Sequence, residues 1–268
     1  MTKITSLQNP RVKAAARLRD ARHRQKQGCF LIDGLREVDR AVQAGIELVD
    51  LFYCPARYPT NQFARIEALL DRVDAERFEL GPAVFDKLAF GDRAEAVVAV
   101  ARTPKRRLDD TRLGDRPLVA VIEGIEKPGN VGAVLRSADA VGVDLVIVAD
   151  GQTDLFNPNT IRASLGTVFT VPVCEATTAT TLDWLRRQNL TILTARVDGS
   201  SEYTEVDYSR GTTIALGSEA NGLSDAWRAD DIQAIRLPMR GAADSLNISA
   251  TAAVLFYEAL RQRTETQP

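Results

Sequence analysis

Residues 123–142 read EGIEKPGNVGAVLRSADAVG, and how this stretch is parsed decides the fold. Just before and into it, LVAVIEG (118–124) is an apolar run of the kind required by a strand buried on both faces. Its second half, NVGAVLRSADAVG, reads as a helix closed by Gly142. Gly124, Gly129 and Gly132 let the backbone turn tightly between the two. Asn130 and Arg136 lie six positions apart around that turn. Dinucleotide-binding domains also open with a strand, a glycine loop and a helix. The spacing here is G-x4-G-x2-G, not G-x-G-x-x-G, and no clear ribose-binding acid follows the next strand. A nucleotide-cofactor oxidoreductase is thus a weak match. Taken alone, the stretch is also satisfied by a plain glycine-rich turn with an exposed arginine.

Downstream the pattern repeats. LVIVAD (145–150), LTILTARV (190–197) and TTIALG (212–217) are further buried-type strands. Apolar strands alternating with helices imply an α/β fold with a mostly parallel sheet covered on both faces. In ALGSEANGLSD (215–225) a strand ends at Leu216 and Gly217 opens a loop carrying Glu219. Gly222 permits a bend before a short helix that Ser224 or Asp225 could cap. Carboxyl ends of parallel strands are where open α/β sheets meet ligands. In IRLPMRGAADSLNISATAAVLFYEAL (235–260), Leu237-Pro238 ends a strand and Ser245-Leu246-Asn247 leads into an amphipathic last helix, with capping a sufficient role for Ser245 and Asn247. Only the closing TETQP looks like a tail.

Upstream, TPKRRLDDTRLGDRP (103–117) is polar, charged and proline-bounded, the best linker candidate. Before it lies a smaller α/β pattern. CFLIDG, LVDLFYC, RFEL and AVVAVAR are its strands, and LREVDRAVQAG is a helix stopped by glycine. Residues 3–26 carry eight Lys or Arg against the single acid Asp20, which predicts one basic amphipathic helix after Asn9-Pro10. Such a face suits phosphates through counterion release, though a solvated helix face explains it equally well. Over the whole chain the net charge is only -2.

Cys29, Cys54 and Cys174 are widely spaced and odd in number, and His23 is the lone histidine. Disulfide frameworks, zinc sites and a Ser-His-Asp triad therefore lack material, and no metal is expected. The opening residues contain no apolar leader core, and no run of about 18 apolar residues occurs anywhere. A cytoplasmic protein without membrane association is expected.

Together the three stretches resemble the signature motifs of the SpoU (TrmH-like) branch of the SPOUT methyltransferases. These motifs are N-x-G-x-x-x-R at 130–136, G-S-E-x-x-G-L at 217–223, and L-P-M at 237–239 followed by S-L-N-x-S at 245–249. RASLGTVFTVPV (162–173) is similar to the family's S-x-G-x-x-F-x-x-P-V stretch. The resemblance implies a catalytic domain over 116–264 with a deep trefoil knot. It implies transfer of a methyl group from S-adenosylmethionine to a ribose 2′-hydroxyl, and a homodimer with its active site at the subunit interface. Carried over residue by residue, the cofactor contacts are Thr194, Ala195, Gly217, Leu237 and Leu246. The catalytic set is Arg136, Asn130, Glu219, Ser245 and Asn247. Arg136 is either the base or, because free guanidines have pKa values above about 12, a group that holds RNA phosphate and stabilises developing charge. Residues 1–105 resemble the small ribosomal-protein-like RNA-binding domain that precedes many such catalytic domains, through FLIDGLREVDRAVQAGIELVDLFY. This implies phosphate contacts at Arg11, Lys13 and Arg36. Structured RNA is the implied partner, with large-subunit rRNA preferred over tRNA. A non-catalytic RNA-binding protein of the same fold is the remaining alternative, and the intact Asn130/Arg136/Glu219/Asn247 set argues against it.

Overall fold

The computed structural model describes residues 2–89 and 95–265. The chain begins with β1 (Thr2–Ile4), α1 (Pro10–Arg17), α2 (Ala21–Gln27), β2 (Cys29–Asp33), α3 (Leu35–Gln43), β3 (Leu48–Tyr53), α4 (Phe63–Arg72), β4 (Glu76–Leu80), α5 (Pro82–Phe85) and β5 (Val97–Arg102). Next come β6 (Leu118–Glu123), α6 (Pro128–Val141), β7 (Leu145–Ala149), α7 (Pro158–Ala163) and α8 (Thr167–Thr170). The remainder is β8 (Val173–Ala176), α9 (Thr178–Arg187), β9 (Thr191–Ala195), β10 (Ser201–Glu202), β11 (Thr212–Leu216), β12 (Ile232–Arg236) and α10 (Ile248–Glu265). Of the closing TETQP, Thr264 and Glu265 belong to α10, and 266–268 lie outside the described residues. Among the described residues no helix is long and apolar enough to cross a membrane.

Two compact units result: Met1–Lys105 with Asp154–Thr170, and Arg106–Thr153 with Val171–Pro268. The first has a mixed sheet ordered β1-β4-β3-β5-β2, in which β5 runs antiparallel to both neighbours. The single basic helix expected after Asn9-Pro10 is in fact two, α1 and α2. The break falls at the lone acid of that run: Asp20 takes the N-cap of α2, accepting from the Arg22 backbone N–H at 2.8 Å. Arg24 is turned inward. Only 5% exposed, it donates to the carbonyls of Leu18 and Arg19 at 2.8 Å each and pairs with Asp154 at 2.5 Å. Residues 154–170 are held in this unit by aromatic packing. Phe30, fully buried, stacks on Phe156 and Phe169 with centroids 4.5 and 5.9 Å apart. The 162–173 stretch thus divides between the units after Thr170.

The second unit holds a seven-stranded sheet ordered β10-β12-β9-β11-β6-β7-β8, parallel throughout. Its core includes Val119, Val121, Ile147, Leu185, Ala215 and Trp227, and Leu108 of the expected linker packs into it. β11 registers with β6 so that Leu216 faces Ile122. β9 and β12 end beside them, with Thr194 against Ala215 and Ile235 against Ala195. In a parallel sheet every strand exits on the same edge. The loops after β6, β9, β11 and β12 therefore emerge together.

Candidate active site

The loop after β11 is shaped by glycine. A Cβ at Gly217 would sit 2.0 Å from the Gly222 carbonyl carbon and 2.2 Å from the Leu223 nitrogen, so no larger residue fits. Gly222 takes φ +66°, and it exchanges backbone hydrogen bonds with Ser218 at 2.9 and 3.1 Å. The resulting tight turn carries Glu219.

Three side chains converge on the Glu219 carboxylate. Asn130, in the first turn of α6, donates from Nδ2 to Oε1 at 2.9 Å; Asn247 donates to the same oxygen, and Lys127 Nζ donates to Oε2. Asn247 works in two directions. Its Oδ1 accepts from the Ser249 backbone N–H (2.9 Å) and hydroxyl (2.6 Å), capping α10. A backbone N–H can only donate, so the amide oxygen must face it and the NH2 group must face Glu219. The same Nδ2 lies 3.5 Å from Asn130 Oδ1. Hydrogen bonds from Lys127 and then Asn130 hold the Glu219 carboxyl below the usual carboxylate range, and Glu219 raises the Lys127 ammonium in return.

Beside this cluster lies a cavity of about 440 Å³, a size typical of small-molecule sites. Ala195, Leu216, Gly217, Leu237 and Leu246 line it, together with Glu219 and Ser245. A charged flank comes from Arg196, Asp198 and Arg228. Asp198 accepts from Arg196 at 2.8 and 2.6 Å and from Arg228 at 3.2 Å, which pulls its carboxyl down to about 2.

The structure brings together most of the residues singled out by sequence. Asn130, Glu219 and Asn247 bond directly, and Ser245, Ala195, Gly217, Leu237 and Leu246 border the cavity. Thr194 is one residue away from the lining, fully buried, its hydroxyl donating to the Gln233 carbonyl at 3.3 Å. Arg136 is exposed on α6 and, among the described residues, makes no ion pair and no hydrogen bond to the cluster. Ser224 does not cap with its side chain; its hydroxyl donates to Glu123 at 2.8 Å instead. In the first unit, Arg11 is engaged by Asp50 and Glu76 at 2.8 Å each and lies 4.8 Å above the Phe78 ring. Arg36 pairs with Glu37 at 2.7 Å. Lys13 is half-buried and makes no ion pair among the described residues. Sequence reasoning missed Lys127, whose only signal was its place three residues before Asn130. It also missed Asp198, which nothing in the linear pattern marks.

Loops gathered at the carboxyl edge of a parallel sheet, enclosing a ligand-sized cavity beside a carboxylate–amide cluster, make a small-molecule site of the α/β class. The profile of the SpoU rRNA Methylase family matches residues 117–257, and that of the MRM3-like substrate binding domain matches residues 9–99. The chain is 32% identical over 249 residues to a 23S rRNA (uridine(2479)-2′-O)-methyltransferase of Streptomyces viridochromogenes, covering 90% of this chain and 85% of that protein. A crystal structure of an RNA 2′-O ribose methyltransferase superimposes with TM-score 0.85 at 41% identity, covering 98% of this chain and all of that one. The SpoU methyltransferase AviRb of S. viridochromogenes, in complex with AdoMet, superimposes with TM-score 0.87 at 29% identity, over 96% of this chain and 99% of that one. The chain belongs to the SpoU rRNA methylase family, and with it to the S-adenosylmethionine-dependent RNA 2′-O-methyltransferases.

Proposed function

We propose that this protein methylates a ribose 2′-hydroxyl of structured large-subunit rRNA, using S-adenosylmethionine. The observation that carries this reading is the convergence of Asn130, Asn247 and Lys127 on Glu219 at the edge of the cavity. The cavity suits the cofactor in volume and in chemistry: leucines and glycine backbone form one wall, and charged groups flank it for a zwitterionic amino-acid end. When bound, S-adenosylmethionine supplies an electrophilic methyl group on a sulfonium.

The chain's own residues then position and stabilise. Glu219, held ionised by three donors, is a weak base and serves as an anchor, fixing Asn130 and Asn247 in one orientation. The fixed amides orient the ribose, and orientation alone contributes much of the barrier reduction for a displacement. Arg136 holds RNA phosphate and stabilises negative charge developing on the attacking oxygen. It lies six residues beyond Asn130 on α6, about 120° around the helix. It therefore does not share the face of α6 that presents Asn130 to Glu219. A homodimer with the site at the subunit interface gives Arg136 its place, and the family's trefoil knot belongs to the same reading. In the first unit, phosphate contacts fall to Lys13 and its neighbours Arg17, Arg22 and Lys26, which make no ion pair among the described residues. Arg11 and Arg36 would have to leave their acids to join them.

Incubation with labelled S-adenosylmethionine and separated rRNA and tRNA fractions tests the substrate. Label in large-subunit rRNA is expected. Label in tRNA alone would redirect the reading to tRNA, and none in any RNA would favour a binding protein.

A further inference from the structure

Glu123 ends β6 only 6% exposed, and among the described residues no cation pairs with it. A carboxyl group so buried needs hydrogen-bond donors in place of its lost water. It has four. Oε1 accepts from the Thr178 hydroxyl (2.6 Å), the Ser224 hydroxyl (2.8 Å) and Trp227 Nε1 (2.9 Å), and Oε2 accepts from the Ser224 backbone N–H (2.7 Å). One donor opens α9; the other three lie in 224–227, immediately after the loop that carries Glu219.

We propose that Glu123 is a positioning residue for the cofactor site, fastening the far end of the 217–223 loop. The near end is already tied to β6, because β11 runs in register with it up to Leu216. Glu123 ties the other end to the same strand through Ser224 and Trp227. The loop between, from Gly217 to Leu223, and Arg228 beyond it border the cavity. The loop is therefore held like a strap buckled twice to one strand, which keeps Glu219 and the cavity wall in fixed relation. A glutamine at this position is not silent. Its NH2 must face either the Ser224 N–H or the Trp227 indole N–H, and neither donor can reverse.

The inference rests on the methyltransferase reading. Its test is the calorimetric Kd of the full-length protein for S-adenosylmethionine, well below the unfolding temperature. Glu123→Gln is expected to weaken binding on the order of 10-fold to 100-fold, the range set by one unsatisfied buried polar group. The Trp227 indole N–H resonance, one of two in the chain, should shift in the free protein while that of Trp184 stays. Ser224→Ala and Thr178→Val each remove one hydroxyl from the same oxygen, on the loop side and the helix side respectively. Ser224→Ala should raise Kd several-fold, whereas Thr178→Val should lower Tm and leave Kd unchanged. Unchanged Kd in both Glu123→Gln and Ser224→Ala, or equal losses in Ser224→Ala and Thr178→Val, overturns the proposal. The serine–threonine contrast decides it alone if Glu123→Gln does not fold. A wild-type protein that fails to bind the cofactor overturns the methyltransferase reading itself, a result separate from any ranking of variants.

Discussion

Both units pair arginines with acids, but the parallel-sheet unit also gathers three side-chain donors on a single carboxylate. In the parallel-sheet unit, Lys127 and Asn130 from the start of α6 and Asn247 from the start of α10 meet on one carboxylate. In the mixed-sheet unit, four arginines are taken up one at a time: Arg11 by Asp50 and Glu76, Arg24 by Asp154, Arg36 by Glu37, and Arg40 by the Leu165 carbonyl at 2.7 Å. Topology accounts for the contrast. A parallel sheet sends every strand out on one edge and so concentrates loop side chains. Antiparallel pairings send successive strands out on opposite edges. A count of basic residues therefore overstates the charge that the first unit can offer to RNA, while in the second unit Lys127, Asn130 and Asn247 act on one carboxylate as a group.

The largest effect should come from the first unit's aromatic stack. Phe30→Ala, at a fully buried ring against Phe156 and Phe169, should cost about 3–5 kcal/mol by chemical denaturation. A loss under about 1 kcal/mol would mean that residues 154–170 are not fastened there. In the second unit, Glu219→Ala strips three donors of their common acceptor, and kcat should fall by about 100-fold. A change confined to KM would recast the cluster as a binding feature. For RNA binding, each phosphate-contacting cation removed should lower the slope of log K against log salt by about 1. Lys13→Gln should do so. Arg11→Gln should leave the slope unchanged and cost about 1–3 kcal/mol of stability, because the buried Asp50 loses a charged donor. The smallest effect concerns Asp198. Its folded pKa, about 2, lies below its ordinary 3.8, so its contribution to stability is complete above pH 4 and disappears as pH falls toward 2. The Tm difference between wild type and Asp198→Asn should be constant at higher pH and close over that window. A difference that closes above pH 5 contradicts the assignment.

Much of this was legible in the linear chain because its signals are local. The strands around 123–142 are continuous apolar runs, and Gly142 closes α6 at φ +73° as its position predicts. The motif residues of the site were legible because they form a set, not because any one is distinctive. Longer-range physics hid the rest. Asp20 looked like a solitary acid in a basic helix, yet local capping makes it the break. The grouping of 154–170 with the first unit depends on Phe30 meeting rings more than 120 residues away. Glu123 carries no local signal of its role, since its donors are 55 to 104 residues distant.

The central claim is that the Glu219 cluster serves methyl transfer to ribose oxygen. The most direct test digests rRNA labelled by the enzyme from S-adenosylmethionine and asks which linkage resists alkali, with Arg136→Ala and Asn130→Ala run alongside. Label is expected in an alkali-resistant 2′-O-methyl dinucleotide from one rRNA site, lost with Arg136→Ala and strongly reduced with Asn130→Ala. Label released by alkali as base-methylated mononucleotides, or undiminished in both variants, would contradict the claim.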